Sequence, residues 1–137
     1  IGALALLPGL AAAPPPPLRA EADAAEPWSD ARVAALQAEG RPVFVNLTAA
    51  WCITCQVNER LVLRADAVQA AFAARDVVYM KGDWTAGDAA IGALLRAHGR
   101  EGVPLYLLYP AGGGAPAVLP EVLTEGIVLR ALGAAGT

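Results

Sequence analysis

Cys52 and Cys55 are the residues of this chain best suited to chemistry, and they are its only two cysteines. They stand in "FVNLTAAWCITCQVNE", from Phe44 to Glu59, where an apolar, β-branched run gives way to a helix-like pattern. Three chemistries use the spacing C-x-x-C. A structural zinc site wants four ligands, usually a second cysteine pair or histidines, and the chain offers only His98 besides the pair. Covalent haem attachment needs a histidine directly after the second cysteine, where this chain has Gln56. Dithiol–disulfide exchange needs nothing beyond the two sulfurs and their setting. Exchange is the reading that survives, with no metal and no cofactor beyond the redox-active pair itself.

The setting favours it. A helix is expected from about Cys52 to Leu63, which aims unpaired backbone N–H groups and the positive end of the helix dipole at the first sulfur. That favours the thiolate, which is the attacking species. Cys55 lies one turn further in, closer to the interior and within reach of its neighbour. In this arrangement Cys52 attacks a partner's disulfide and Cys55 resolves the mixed disulfide that results.

The elements that must hold the pair follow from patterning. Ser29 is a good N-cap for a helix through Ala38, with Val33, Leu36 and Trp28 on its apolar side and Gly40 and Pro42 after it. "VFVNL" reads as a buried strand. A short helix starts at Asp66, "VVYMKGD" is the next strand, and "AGDAAIGALLRAHG" is a helix closed by Gly99. "PLYLLYP" is a third strand, "AGGGAP" a turn, "AVLP" the returning strand of a hairpin, and "EGIVLRALGAA" an amphipathic helix. Gly112 to Gly114 lack the lysine and helix of a phosphate loop. Strands separated by helices, then a hairpin, predict an α/β fold with a central mixed sheet of about four strands flanked by helices.

The 137 residues suffice for one domain with a single core. The domain is expected over residues 27–137, after an apolar leader and a proline-rich linker over residues 1–26 whose "PPPP" should act as a stiff spacer. "IGALALLPGLAAA" is too short for a complete spanning helix of about 20 apolar residues. It reads as the end of a transmembrane helix, as a signal-peptide core, or as a plain leader. Nine of the ten basic residues are arginines, spread from Arg19 to Arg130 without a cluster, and the net charge is -3. A nucleic-acid groove needs a basic patch to offset phosphate charge, so that class of partner is excluded.

"VNLTAAWCITCQ" resembles the active-site stretch of the thioredoxin superfamily, an apolar strand ending in Trp-Cys-x-x-Cys. Together, "FVNLTAAWCITCQVNE" and "GVPLYLLYPAGG" resemble the C-terminal periplasmic domain of DsbD-type thiol:disulfide interchange proteins and of their copper-sensitivity-suppressor relatives. The likeness runs from about Trp28 to Ala134. It implies a thioredoxin-like fold and a monomeric domain facing the periplasm, tethered to the bacterial inner membrane. It also implies electrons taken from a membrane-embedded conducting domain and passed to periplasmic thiol–disulfide proteins, as in cytochrome c biogenesis.

The same resemblance assigns roles around the pair. Pro104, after Val103, matches a proline that is cis in thioredoxin-like proteins and lies beside the cysteines, where the preceding backbone pairs with a bound peptide. Glu59 matches an acidic position and would accept the resolving thiol's proton; a solvated helix carboxylate is the other reading. Asn46 departs from the family, which carries a buried aspartate there, and an amide cannot take up a proton. Trp51 offers an apolar flank to partners. Ile53 and Thr54 form the inter-cysteine dipeptide that tunes redox poise. His98 reads as a cap of helix carbonyls, and Asp83 with Trp84 as turn and packing residues. Three alternatives remain open: a disulfide oxidase or isomerase of the same fold, a module binding Cu(I) through the two thiolates, and an adaptor without turnover.

Overall fold

The structure, a computed structural model, describes residues 25–135, so most of the expected leader and linker lies outside the described residues. In chain order the elements are β1 (Glu26–Pro27), α1 (Asp30–Ala38), β2 (Val43–Thr48), α2 (Ile53–Asn58), a π-helical turn (Glu59–Leu63) and α3 (Asp66–Ala74). They continue with β3 (Val78–Asp83), α4 (Ala89–Ala97), β4 (Leu105–Tyr109), β5 (Ala117–Leu119) and α5 (Glu125–Ala135). The sheet order is β1-β3-β2-β4-β5. β1, β3 and β2 run parallel, while β4 is antiparallel to β2 and β5 to β4. The sheet is therefore mixed, as the pattern predicted, with five strands where about four were expected. The extra one is β1, a two-residue edge strand whose Glu26 opposes Met80 and whose Pro27 opposes Lys81. Two residues carry no alternation to read, and a proline is tolerated at an edge because its missing N–H faces no partner.

Local chemistry sets the boundaries of the helices. The Ser29 side chain accepts from the Arg32 N–H and caps α1, and Asp88 accepts from the Ile91 N–H and caps α4. Gly40 and Gly99 stand just past the ends of these two helices with φ of +84° and +70°, the left-handed conformation that ends a helix without a Cβ penalty.

Alternation along the central strands divides the core into two layers. Val43, Val45 and Leu47 of β2, with Met80, Leu105 and Leu107, face Val33 and Leu36 of α1 and Ile91 and Leu95 of α4. Phe44, Tyr106 and Leu108 face the other way, onto Val62 and Leu63 of the π-helical turn, Val68 and Phe72 of α3, and Val128 and Leu132 of α5. Phe44 is the centre of this second layer, with ring centroids 5.4 Å from Phe72, 6.0 Å from Tyr79 and 6.2 Å from Tyr106. Helices thus cover both faces of the sheet.

The tyrosines of the sheet feel this burial. Tyr79 is held well above the ordinary phenol range, first by desolvation and further by the nearby Glu59 charge, against the opposing hydrogen bond from Asn46. Tyr106 is pushed up to about 12, again chiefly by burial. Tyr109 is raised as well, by burial and then by the charge of Asp30.

Two outcomes follow. Phe44→Ala, which empties the middle of the second layer, should lower the urea-unfolding free energy by about 3–5 kcal/mol. For the tyrosines the folded pKa lies above the unfolded one, so the folded state holds protons that the unfolded state releases. Stability should be intact below pH about 10 and fall as pH rises beyond it. A tyrosinate absorbance step near pH 10 in the native protein would contradict this.

Candidate active site

β2 delivers the chain to the cysteines through a short connection held at every step. The Cys52 N–H donates to the Ala49 carbonyl at 3.1 Å, and the Gln56 side-chain amide donates to the same oxygen at 3.1 Å. The Ala50 N–H donates to the Thr85 hydroxyl oxygen at 2.8 Å. Thr85 is itself fixed by Asp83, which accepts from both its N–H and its hydroxyl. Those two bonds hold the Asp83 carboxyl below the ordinary aspartate value of 3.8. Asp83 therefore braces the loop that braces the cysteine turn.

Cys52 is the N-cap of α2, in extended conformation, and its Sγ accepts from the Cys55 N–H at 3.1 Å. The two cysteines form a disulfide with their Cα atoms 5.2 Å apart. Their exposure differs in the direction that exchange requires: Cys52 keeps 7% of its surface accessible and Cys55 none. Among the described residues no set of three or more His, Cys, Asp or Glu is grouped to hold a metal ion. The arrangement can make and break a disulfide, with Cys52 the less buried of the two residues.

Of the other expected site residues, several gather around the pair. Val103 packs against the cluster of Ala49, Cys52 and Cys55, and the Val103–Pro104 peptide bond is cis. Trp51 is largely exposed, its ring 6.0 Å from that of Trp84 and its indole N–H donating to the Thr85 carbonyl at 3.1 Å. Ile53 and Thr54 are exposed on the first turn of α2. His98 stands apart: its Nδ1 lies 3.1 Å from the Leu94 carbonyl at the end of α4.

Beneath the pair the chain departs from the single α-helix expected over Cys52 to Leu63. The α-helix stops at Asn58, and in the π-helical turn the Arg64 N–H donates to the Glu59 carbonyl five residues back, at 2.9 Å. Asn58 and Glu59, and then Val62 and Leu63, are buried, the i+3, i+4, i+7 and i+8 positions of one inward helical stripe counted from Cys55. Asn58 donates to the Tyr106 hydroxyl at 2.9 Å and to the Glu121 carbonyl at 2.7 Å, and accepts from the Leu123 N–H at 3.1 Å. It pins the β5–α5 connection to the cysteine helix.

Glu59 is no solvated surface carboxylate. It is 5% exposed, accepts from the Thr48 hydroxyl at 2.8 Å and pairs with Lys81 Nζ at 3.0 Å. A solvent-open cavity of about 270 Å³ reaches this pair, lined among others by Thr48, Ala49, Gln56, Glu59 and Lys81. Asn46 is fully buried and donates to the Tyr79 hydroxyl at 2.9 Å, while its carbonyl oxygen has no partner. The buried carboxylate of this region is thus on the helix, while the strand position holds an amide. Sequence reading passed over Lys81, Thr48, Asn58 and Thr85. Two of them left a signal: Lys81, the only lysine, sits inside a strand pattern, and Asn58 follows Cys55 by three residues on the inward helix face.

The family model described as Thioredoxin-like matches residues 24–111. The thiol:disulfide interchange protein DsbD of Ralstonia nicotianae is 39% identical over 84 residues, covering 61% of this chain and 14% of that protein. DsbD of Escherichia coli K12 is 35% identical over 80 residues, covering 58% of this chain and again 14% of the relative. The chain therefore spans about one seventh of the length of these curated relatives. The C-terminal domain of Neisseria meningitidis DsbD in its reduced form superposes with a TM-score of 0.61 at 20% identity, over 77% of this chain and 96% of that one. A Thermus thermophilus thioredoxin gives 0.62 at 22% identity, over 80% and 85%. At these identities the structures speak to fold alone. On the family model, which covers more than half of it, the chain belongs to the thioredoxin-like family, and its similarity in sequence is to DsbD-type proteins.

Proposed function

We propose that this domain is a protein-disulfide reductase, acting on periplasmic thiol–disulfide proteins with electrons supplied by a membrane-embedded domain. The observation that carries the proposal is the Cys52–Cys55 disulfide at the start of α2, with Cys52 retaining 7% of its surface accessible and Cys55 fully buried. The sequence similarity to proteins named for thiol:disulfide interchange supports the exchange chemistry, and the relay, the periplasmic location and the membrane tether are what the resemblance to that family implies. No helix among the described residues is long and apolar enough to cross a membrane.

In the dithiol form the Cys52 thiolate, favoured by the helix N-terminus, attacks one sulfur of the partner's disulfide. That bond breaks, a mixed disulfide forms, and one partner thiolate leaves. Cys55 then loses its proton and attacks the Cys52 sulfur, which restores the Cys52–Cys55 bond and releases the second partner thiolate. Two electrons have moved to the partner. Val103 and the cis Pro104 offer backbone beside the pair for the partner's chain, and Trp51 offers an apolar flank. Glu59, one helical turn beyond Cys55 and connected to solvent by the cavity, receives the resolving thiol's proton, and Lys81 steadies the carboxylate charge. Asn46 adjusts the surroundings through Tyr79 without taking a proton.

Two experiments test this. Cys52→Ser should abolish reduction of insulin disulfides, and Cys55→Ser should accumulate mixed disulfides visible on non-reducing gels; full activity in Cys52→Ser sinks the mechanism. The direction is read from the reduction potential, where a value near ~-270 mV supports reduction and one near ~-120 mV assigns the domain to oxidation. Separately, Glu59→Gln should slow release of the mixed disulfide by roughly a hundredfold or more at neutral pH, the usual size of a general-base contribution. The attack by Cys52, followed in a single turnover, should be little changed.

A further inference from the structure

β4 enters the sheet directly after Val103 and Pro104, and its ladders begin just beyond them. Against β2 the pairing reaches Leu105, opposite Leu47, and against β5 it stops at Tyr106, opposite Leu119. Carried further, the second register would set Pro120 opposite Leu105 and Glu121 opposite Pro104. Pro104 and Pro120 have no backbone N–H, so neither can donate to extend the ladder. Side chains take over. Arg100 Nη1 donates to the Pro104 carbonyl at 3.3 Å and to Glu121 Oε2 at 3.1 Å. A terminal guanidinium nitrogen carries two N–H groups, so it serves both acceptors at once.

Both ends of this bridge are anchored. The Arg100 N–H donates to the Leu95 carbonyl and the Gly99 N–H to that of Arg96, the pair of bonds that closes α4. The Glu121 carbonyl accepts from the Asn58 side chain at 2.7 Å, and Asn58 stands on α2, three residues after Cys55. A chain of bonds therefore runs from the Pro104 backbone through Arg100, Glu121 and Asn58 to the cysteine helix. Stability does not account for it. Arg100 keeps 24% of its side-chain surface accessible and Glu121 60%, and an ion pair so exposed contributes little to folding. What the bonds fix is a place: the backbone before β4, where Val103 packs against the cluster of Ala49, Cys52 and Cys55. We propose that Arg100 is a positioning residue for the partner, holding the Val103–Pro104 backbone where an extended peptide lies as its disulfide meets Cys52. The inference rests on the reductase reading and adds to it the residue that sets how tightly a polypeptide substrate binds. A disulfide without a peptide backbone has nothing to lay on this segment and is indifferent to Arg100.

The test mixes the full chain, in its dithiol form, with an excess of one of two disulfides in single turnovers. One is a peptide closed by a disulfide and flanked by extended residues; the other is hydroxyethyl disulfide, which has no amide. Oxidation of the protein is read by mass after alkylation of the remaining thiols, and the peptide rate is followed to saturation. Arg100→Met keeps the aliphatic stem and removes the donors. It should raise the half-saturating peptide concentration roughly tenfold and leave the limiting rate unchanged, as the loss of one charge-assisted hydrogen bond that preorganises a site does. Arg100→Lys keeps a charged donor and should bring half-saturation back to within about threefold of the wild type. Both variants should react with hydroxyethyl disulfide at the wild-type rate. An unchanged half-saturation in Arg100→Met overturns the proposal. So does an equal loss on the two disulfides, which would make Arg100 a support of the fold or of the cysteines themselves. A wild type that reduces neither disulfide is a different result: it removes the reductase reading, and this proposal with it.

Discussion

Every side chain of the central strand β2 is buried, yet two of its six residues, Asn46 and Thr48, are polar. Burying a polar group without a partner costs more than a hydrogen bond returns, so the surroundings of this strand must supply partners. They do so from the layer next to the cysteines: Tyr79 takes the Asn46 amide, and Glu59 takes the Thr48 hydroxyl. Glu59 in turn, as a buried carboxylate, needs a cation and finds Lys81. The polar support of the redox pair and the packing of its strand are thus one problem with one solution. The Asn46 carbonyl oxygen is what that solution leaves over.

The same solution can be followed along the helix. Counted from Cys55, the buried residues Asn58, Glu59, Val62 and Leu63 stand at i+3, i+4, i+7 and i+8, one inward helical stripe. That stripe carries two polar anchors at once. Asn58 secures the loop after β5 on one side, while Glu59 secures β2 and β3 on the other. The site is consequently held from below by buried polar bonds and from above by the Asp83–Thr85 brace. Little is left for the two sulfurs to do except exchange.

Much of the fold was legible in the sequence, because period and punctuation are local. Ser29, Gly40 and Gly99 marked helix ends, and the strands at Val43, Val78 and Leu105 were apolar runs between turns. β1 was not legible, since two residues have no period and its pairing exists only because β3 offers a free edge. The π-helical turn was also hidden. Nothing in "NERLVL" distinguishes it from ordinary helix until the partners of Asn58 and Glu59 are in place. Glu59 itself was open between a solvated and a buried role, because its heptad spacing from Cys52 fixes a face and not what that face meets.

The sequence by itself determined that two cysteines with this spacing, at the end of an apolar strand and the head of a helix, have exchange as their chemistry. It did so against structural zinc and haem attachment, which need further ligands that the chain lacks, and left Cu(I) binding by the two thiolates open. Only the tertiary structure decided which cysteine is fully buried, that Glu59 is turned inward, and which cation it meets there. These depend on contacts between residues far apart in the chain, such as Glu59 with Lys81 and Asn58 with Leu123. Local spacing holds no record of such contacts, because they come into being only when the sheet closes under the helix.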